Sequence, residues 1–211
     1  MSDEKRKAAV KKVDTIIFDL GRVLIGIGPL GEKFTRLMLA MGIPPEQAFH
    51  KFWYAPEVRN HMTGELDSRE FYRLTDERFR HGFSFDEFVD AWTDIFQPIP
   101  EMEKLFGEMA KHHRIGILSD TDPLHWAHIK RIMPWLDIVE RPTLSFEVGR
   151  LKPHPDMFAT AAKNSGRDMD KCLFIDDLTE NVDGARYCGM PALRFTGVDK
   201  LRKNLAELRL L

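Results

Sequence analysis

The stretch "TIIFDLGRVLIG", residues 15–26, decides how the rest of the chain is read. Its first half is β-branched and apolar, too short for a helix, and stops at a carboxylate, Asp19, followed two residues later by Gly21. Such a run, bounded by a turn signal, predicts a strand over residues 13–18 that is buried on both faces and presents Asp19 at its carboxyl end.

Downstream of this strand the pattern changes twice. Between residues 29 and 97, "EKFTRLMLAMG", "PEQAFHKFWY", "SREFYRLTDERF" and "SFDEFVDAWTDIF" repeat aromatic and aliphatic residues at helical spacing. Asp67 with Glu70 and Ser84 with Glu87 have the spacing of capping boxes. After "PIP" (98–100) helical and strand patterns alternate: "EMEKLFGEMAKHH", "RIGILS", "PLHWAHIKRIM", a short strand near "LSF", "PDMFATAAKNSG", "CLFIDD", "ENVDGARYCG" and "PALRF". That alternation implies an α/β fold with a parallel sheet and right-handed crossovers. In the final helix Leu201, Leu205 and Leu208 share one stripe, which reads as core packing. The expected organisation is one α/β core domain, residues 13–28 and 98–211, interrupted by a helical block over 29–97. Residues 1–12, charged and unpatterned, read as a flexible tail.

Composition narrows the function classes. The 211 residues suffice for one domain with an insertion, and 31 basic against 33 acidic side chains give a net charge of -2. With no polybasic run beyond the mixed "DEKRKAAVKK", neither nucleic acid nor an anionic membrane is an expected partner. No stretch approaches the roughly 20 apolar residues of a membrane span, and the N-terminus lacks the apolar core of a signal peptide, so a cytoplasmic location is expected. Cys172 and Cys188 form no metal-binding spacing and read as buried free thiols. A monomer or a homodimer is equally compatible.

Polar residues gather where predicted strands end: Asp19 after "TIIF", Ser119 with Asp120 after "IGIL", and Asp176 with Asp177 after "CLFI". In an open parallel sheet the carboxyl ends of neighbouring strands face one crevice, so these groups should converge. Asp19, Asp176 and Asp177 would repel one another there and call for a counter-charge. A hard divalent cation such as magnesium, held by carboxylates and a substrate phosphate, answers that need. Lys152, in "GRLKPHPDMF", would hold a carboxylate or a phosphate, and the Ser119 hydroxyl can donate to a phosphoryl oxygen.

Four segments in this order resemble the haloacid dehalogenase-like hydrolase superfamily: "FDLGRVL", "ILSDTD", "GRLKPHPDMF" and "LFIDDLTENVDGARYCGM". The resemblance implies a Rossmann-like parallel sheet sandwiched by helices, with a helical cap inserted after the first strand, and it covers residues 13 to about 197. It also implies a small phosphorylated substrate. Asp19 would be the nucleophile that becomes an aspartyl phosphate. Asp19 and Asp176 would ligate magnesium through side chains and Gly21 through its carbonyl, while Asp177 would hold a metal-bound water or the ion itself. Ser119 and Lys152 would bind phosphoryl oxygens, with Asp120 beside the substrate, Asn181 in support, and the cap loop "EVRNHMTGEL" facing the substrate.

Gly21 departs from the commoner pattern, in which an aspartate two residues after the nucleophile protonates the leaving alcohol. "DLGRVL" is similar to a branch that includes bacterial sugar 1-phosphate phosphatases and also has glycine there. Arg22 could stabilise charge on the leaving oxygen and His61 could serve as an acid; His112, His113 and His125 read as surface or helix-end residues. Three functions follow: a magnesium-dependent phosphatase of small metabolites, a metal-independent 2-haloacid dehalogenase, or a non-catalytic phosphate-binding protein. The paired "IDD" acids argue against the second, and Gly21, Gly26 and Gly28 lean toward the third.

Overall fold

A computed structural model describes residues 13–28 and 31–211. The expected tail, residues 1–12, and the first two residues of the expected insertion lie outside the described residues. Strand β1 (Thr15–Phe18) is fully buried, as its apolar run requires. Its side chains alternate between two apolar layers: Ile16 and Phe18 pack with Met102, Leu105 and Phe106, whereas Ile17 packs with Met157, Phe158 and Phe174 on the opposite face.

From β1 the chain forms β2 (Ile25–Ile27), then the helices α1 (Glu32–Ala40), α2 (Pro56–Met62), α3 (Ser68–Phe79) and α4 (Phe85–Trp92), and returns through β3 (Phe96–Pro98). The alternating part follows as α5 (Pro100–Met109), β4 (Arg114–Ser119), α6 (Pro123–Ile132), β5 (Thr143–Leu144), α7 (Ser145–Val148), α8 (Pro155–Asn164), β6 (Cys172–Asp176), α9 (Thr179–Tyr187), β7 (Ala192–Arg194) and α10 (Val198–Glu207). The main sheet has the order β5-β4-β1-β6-β7 and every pairing in it is parallel. β1 lies between β4 and β6, with Phe18 in register with both Ile117 and Ile175. The chain runs outward from β1 on one side, then crosses to the other, so a crevice opens at the carboxyl end of β1.

The insertion has its own apolar cluster, which includes Phe34, Leu37, Phe52, Val58, Phe71, Phe88 and Trp92. Ser84 and Glu87 form the complete capping box, but Asp67 caps α3 without reciprocation because Glu70 pairs with Arg73 instead. Two elements were not legible in the pattern. β2 and β3 pair as an antiparallel ribbon at the root of the insertion, three residues each and containing Gly26 and Pro98, which carry little strand propensity. Phe49–Trp53 forms a π-helix. Leu201 and Leu205 are buried in the sheet's core cluster and Leu208 packs against it. Both cysteines are free, Cys172 buried and Cys188 only half-buried, a correction to the expectation of two buried thiols. No helix among the described residues is long and apolar enough to cross a membrane.

Candidate active site

The loop after β1 is turned tightly by one carbonyl: Leu20 O accepts the N–H groups of Val23, Leu24 and Ile25 at 3.2, 2.8 and 3.0 Å. Arg22 in this turn has a φ of 58°, in the left-handed region that side chains other than glycine and asparagine rarely occupy. Asp19 stays anchored to the sheet, its N–H donating to Ile175 O at 2.9 Å.

Around this turn the three strand ends meet as the sequence implies. Lys152 Nζ donates to Asp19 Oδ1 at 2.6 Å and to Asp176 Oδ2 at 2.7 Å, with the Leu118 carbonyl at 3.4 Å. The Lys152 backbone N–H donates to Asp120 Oδ1 at 2.9 Å, so Asp120 fixes the loop that carries the lysine. Asp176 is fully enclosed: Oδ1 accepts the Leu178 N–H at 2.8 Å, and the Asn181 side-chain amide reaches Oδ1 and Oδ2 at 3.1 and 3.0 Å. Asp177 stands 3.9 Å from an Arg22 guanidinium nitrogen.

The electrostatics follow from burial. Burial pushes the Asp19 carboxyl up to about 7; Lys152 opposes that rise and Asp176 adds to it. Asp120 and Asp177 are likewise raised by burial. For Lys152 burial works against the charge, but Asp19, Asp176 and Asp120 outweigh it and hold the lysine protonated. One buried cation thus serves several acids.

Carboxylate oxygens of Asp19, Asp176 and Asp177 lie within 4.8 Å of one another. Their all-oxygen donor set and surplus of negative charge fit a hard divalent ion. A cavity of about 720 Å³ opens over the cluster, lined by Asp19, Gly21, Arg22, Asp120, Lys152 and Asp177 below and by Trp53, Tyr54, Arg59 and Met62 of the insertion above. Asp176 and Ser119 are buried and do not line it; the Ser119 hydroxyl lies 3.5 Å from the Asp120 carbonyl.

His61 is not brought to the cavity. It is fully buried, its ring stacked on Phe71 at a centroid distance of 4.4 Å, while its helical neighbours Arg59 and Met62 face the site. His125 corrects the surface reading: it is 2 % exposed and packed between Trp92 and Phe96. Reading the sequence for acids and histidines passes over Trp53 and Tyr54 and takes in Arg59 only as part of "EVRNHMTGEL", since helical spacing alone cannot tell a cavity-facing residue from a solvent-facing one.

The model of the haloacid dehalogenase-like hydrolases matches residues 13–189, which include both the acidic strand ends and the insertion. The chain belongs to this family. Among its relatives, a D-ribitol-5-phosphate phosphatase of Bacteroides thetaiotaomicron is 24% identical over 187 residues, 84% of this chain and 89% of that one. A glyceraldehyde 3-phosphate phosphatase of Pyrococcus abyssi is 33% identical over 85 residues, 39% of this chain and 35% of that one. In fold, the hydrolase resembles a family enzyme of Bacteroides thetaiotaomicron solved as a mutant with magnesium and inorganic phosphate, at a TM-score of 0.76, 22% identity and coverage of 86% and 93% of the two chains.

Proposed function

We propose that this hydrolase is a magnesium-dependent phosphatase of small phosphorylated metabolites. The observation that carries the reading is the triangle of Asp19, Lys152 and Asp176 at one end of the cavity, beside Asp177. Phosphatase relatives that match most or part of the chain support the same class.

Asp19 attacks through the oxygen that Lys152 does not bind; Oδ1 is the one held. A new O–P bond forms as the bond from phosphorus to the leaving oxygen breaks, giving an aspartyl phosphate and an alkoxide that takes its proton from solvent water. Water then attacks that phosphorus, releasing inorganic phosphate and restoring the carboxylate. Asp19, Asp176, Asp177 and the Gly21 carbonyl would hold the magnesium, which neutralises negative charge on the acids and the phosphoryl group. Lys152 orients phosphoryl oxygens, and Asn181 keeps Asp176 in place; the Ser119 hydroxyl, buried beside the Asp120 carbonyl, lies behind the cavity wall. With residues 29–97 as the cap, Arg59 supplies a positive charge, and Trp53 and Tyr54 a flat face, for the organic part of the substrate.

Gly21 offers no proton to the leaving oxygen, and this feature favours a second reading, a pocket that accepts phosphate on Asp19 and releases it slowly. A screen of phosphorylated metabolites with and without magnesium, on the natural sequence and on Asp19→Asn, separates the two. Sustained, magnesium-dependent phosphate release that Asp19→Asn abolishes is the expected result. A single phosphorylation event without further turnover would replace the phosphatase by the binding protein, and halide release from a haloacid surviving chelation would replace both.

A further inference from the structure

Asp122 lies two residues beyond Asp120 and outside the acidic cluster. It is 1 % exposed and caps α6, its Oδ1 accepting the N–H groups of Leu124 and His125 at 2.9 and 3.0 Å. Capping accounts for one oxygen only. The other, Oδ2, accepts the indole N–H of Trp92, the last residue of α4, at 3.2 Å and lies 2.8 Å from His125 Nδ1. His125 Nε2 is in turn 3.0 Å from the Trp92 carbonyl. Both ring nitrogens of His125 therefore face oxygen acceptors, and pairing both requires a proton on each. On the other side, the buried His61 Nδ1, which has no hydrogen-bond partner, stands 3.8 Å from Asp122 Oδ1. Burial pushes the Asp122 carboxyl up, yet His125 and then His61 hold it down at about 2.

Stacked rings carry this junction to the cavity. The His125 ring lies nearly parallel to Trp92 at a centroid distance of 4.6 Å and to Trp53 at 5.9 Å, and the two indoles are 5.6 Å apart at 27°. Trp53 ends the π-helix and lines the cavity. A second tie runs beside the first. Ser145 Oγ accepts the Thr121 N–H at 2.9 Å and donates to Met62 O at 2.7 Å, fastening α2 to the loop that holds Asp120.

We propose that Asp122 is a positioning residue for the hydrolysis: through His125 and Trp92 it clamps the insertion to the catalytic loop and fixes Trp53 as the wall for the substrate's organic part. The catalytic half of this statement rests on the phosphatase reading; the clamp itself does not. Apolar packing alone would hold two layers together at least as firmly as a buried ion pair. What charge-assisted hydrogen bonds add is direction, and here the direction sets an indole at the cavity wall.

Two variants isolate the clamp. Asp122→Asn keeps an oxygen to cap α6 but loses the charge, and Trp92→Phe keeps a ring but loses the indole N–H. Each is measured for hydrolysis of p-nitrophenyl phosphate with magnesium, inhibition by inorganic phosphate, and acrylamide quenching of tryptophan fluorescence, with and without Trp53→Phe. We expect KM to rise about tenfold in Asp122→Asn and about threefold in Trp92→Phe, with kcat and phosphate inhibition within about twofold, the scale of one lost charge-assisted or neutral hydrogen bond. Quenching should increase in both, and the increase should vanish in the Trp53→Phe background. Unchanged KM and quenching with a lowered Tm would reduce Asp122 to a helix cap and overturn the proposal, as would a parallel shift in phosphate inhibition. If the natural sequence turns over no phosphate ester, the phosphatase reading fails by itself; quenching without a Trp53-dependent increase would then sink the clamp as well.

Discussion

At the carboxyl ends of β1, β4 and β6 the chain gathers Asp19, Asp120 and Asp176 around one buried lysine, with Asp177 alongside, whereas the insertion above gathers Phe52, Phe71, Phe88 and Trp92. Among the described lining residues the insertion brings one charged group, Arg59, to the cavity. The floor is held by ion pairs at fixed strand ends; the roof is held by rings in edge and stacked contact, such as Phe71 on Trp92 at 5.3 Å. The difference teaches a division of labour. On the phosphatase reading, bond making would fall where backbone geometry converges charged groups, and recognition where helices can be turned and re-surfaced without disturbing the sheet. Changes to the floor should therefore act on kcat, and changes to the roof on KM.

The strongest attempt to break this comparison removes the floor's cation. Lys152→Met leaves Asp19 and Asp176 buried with no positive partner, which costs about 3–5 kcal/mol of stability. Phosphoryl oxygens lose a charged donor at the same time, so kcat should fall by about a thousandfold or more. Calorimetry with and without magnesium should show a lowered Tm, of which the cation recovers more than it adds to the natural sequence, because it replaces missing positive charge. Turnover within tenfold of the natural sequence would show that the lysine serves folding alone.

The same contrast explains what could be read from the sequence. β1, β4 and β6 are short apolar runs ending in acids or serine, and a parallel sheet turns that one-dimensional pattern into a shared crevice whatever the surrounding detail. Asp19, Asp176 and Asp177 were legible for that reason, whereas Lys152, in the loop before α8, was read from the segment "GRLKPHPDMF". His61 was not: its spacing in "EVRNHMTGEL" allows either face of α2, and the aromatic packing around Phe71 turns it inward while Arg59 faces the site. His125 is hidden for a related reason, since nothing in "PLHWAHIKRIM" reveals that an aspartate three residues earlier and a tryptophan from another helix will bond both its nitrogens. The β2–β3 ribbon depends on pairing between segments some seventy residues apart, a property of tertiary structure and not of either segment.

Gly21 permits a test by gain of function. Its backbone does not have a positive φ, and a Cβ placed there would meet Ile27 Cδ1 at 2.9 Å, the far end of a flexible side chain. A side chain is therefore admissible at this cavity-lining position if Ile27 yields. Gly21→Asp, alone and with Ile27→Val to make room, should raise turnover of alkyl phosphates by about tenfold to a hundredfold, within the range that general acid catalysis supplies. Aryl phosphates, whose leaving groups need no proton, should gain little. Equal gains on both classes, with chemistry shown to be rate-limiting, would mean that proton donation is not what the glycine withholds.

The smallest expected effect is on the roof. Arg59 is exposed and lines the cavity, and its charge acts on Asp120 less than Lys152 and Asp176 do, so Arg59→Ala should leave folding and kcat nearly unchanged. Its consequence should be a KM raised about threefold to tenfold for the best metabolite found in the phosphate-ester screen, with inhibition by inorganic phosphate unaltered, because phosphate reports on the floor alone. If phosphate inhibition weakens in step with KM, Arg59 reaches down to the transferred group, and the separation between ionic floor and recognising roof fails at that residue.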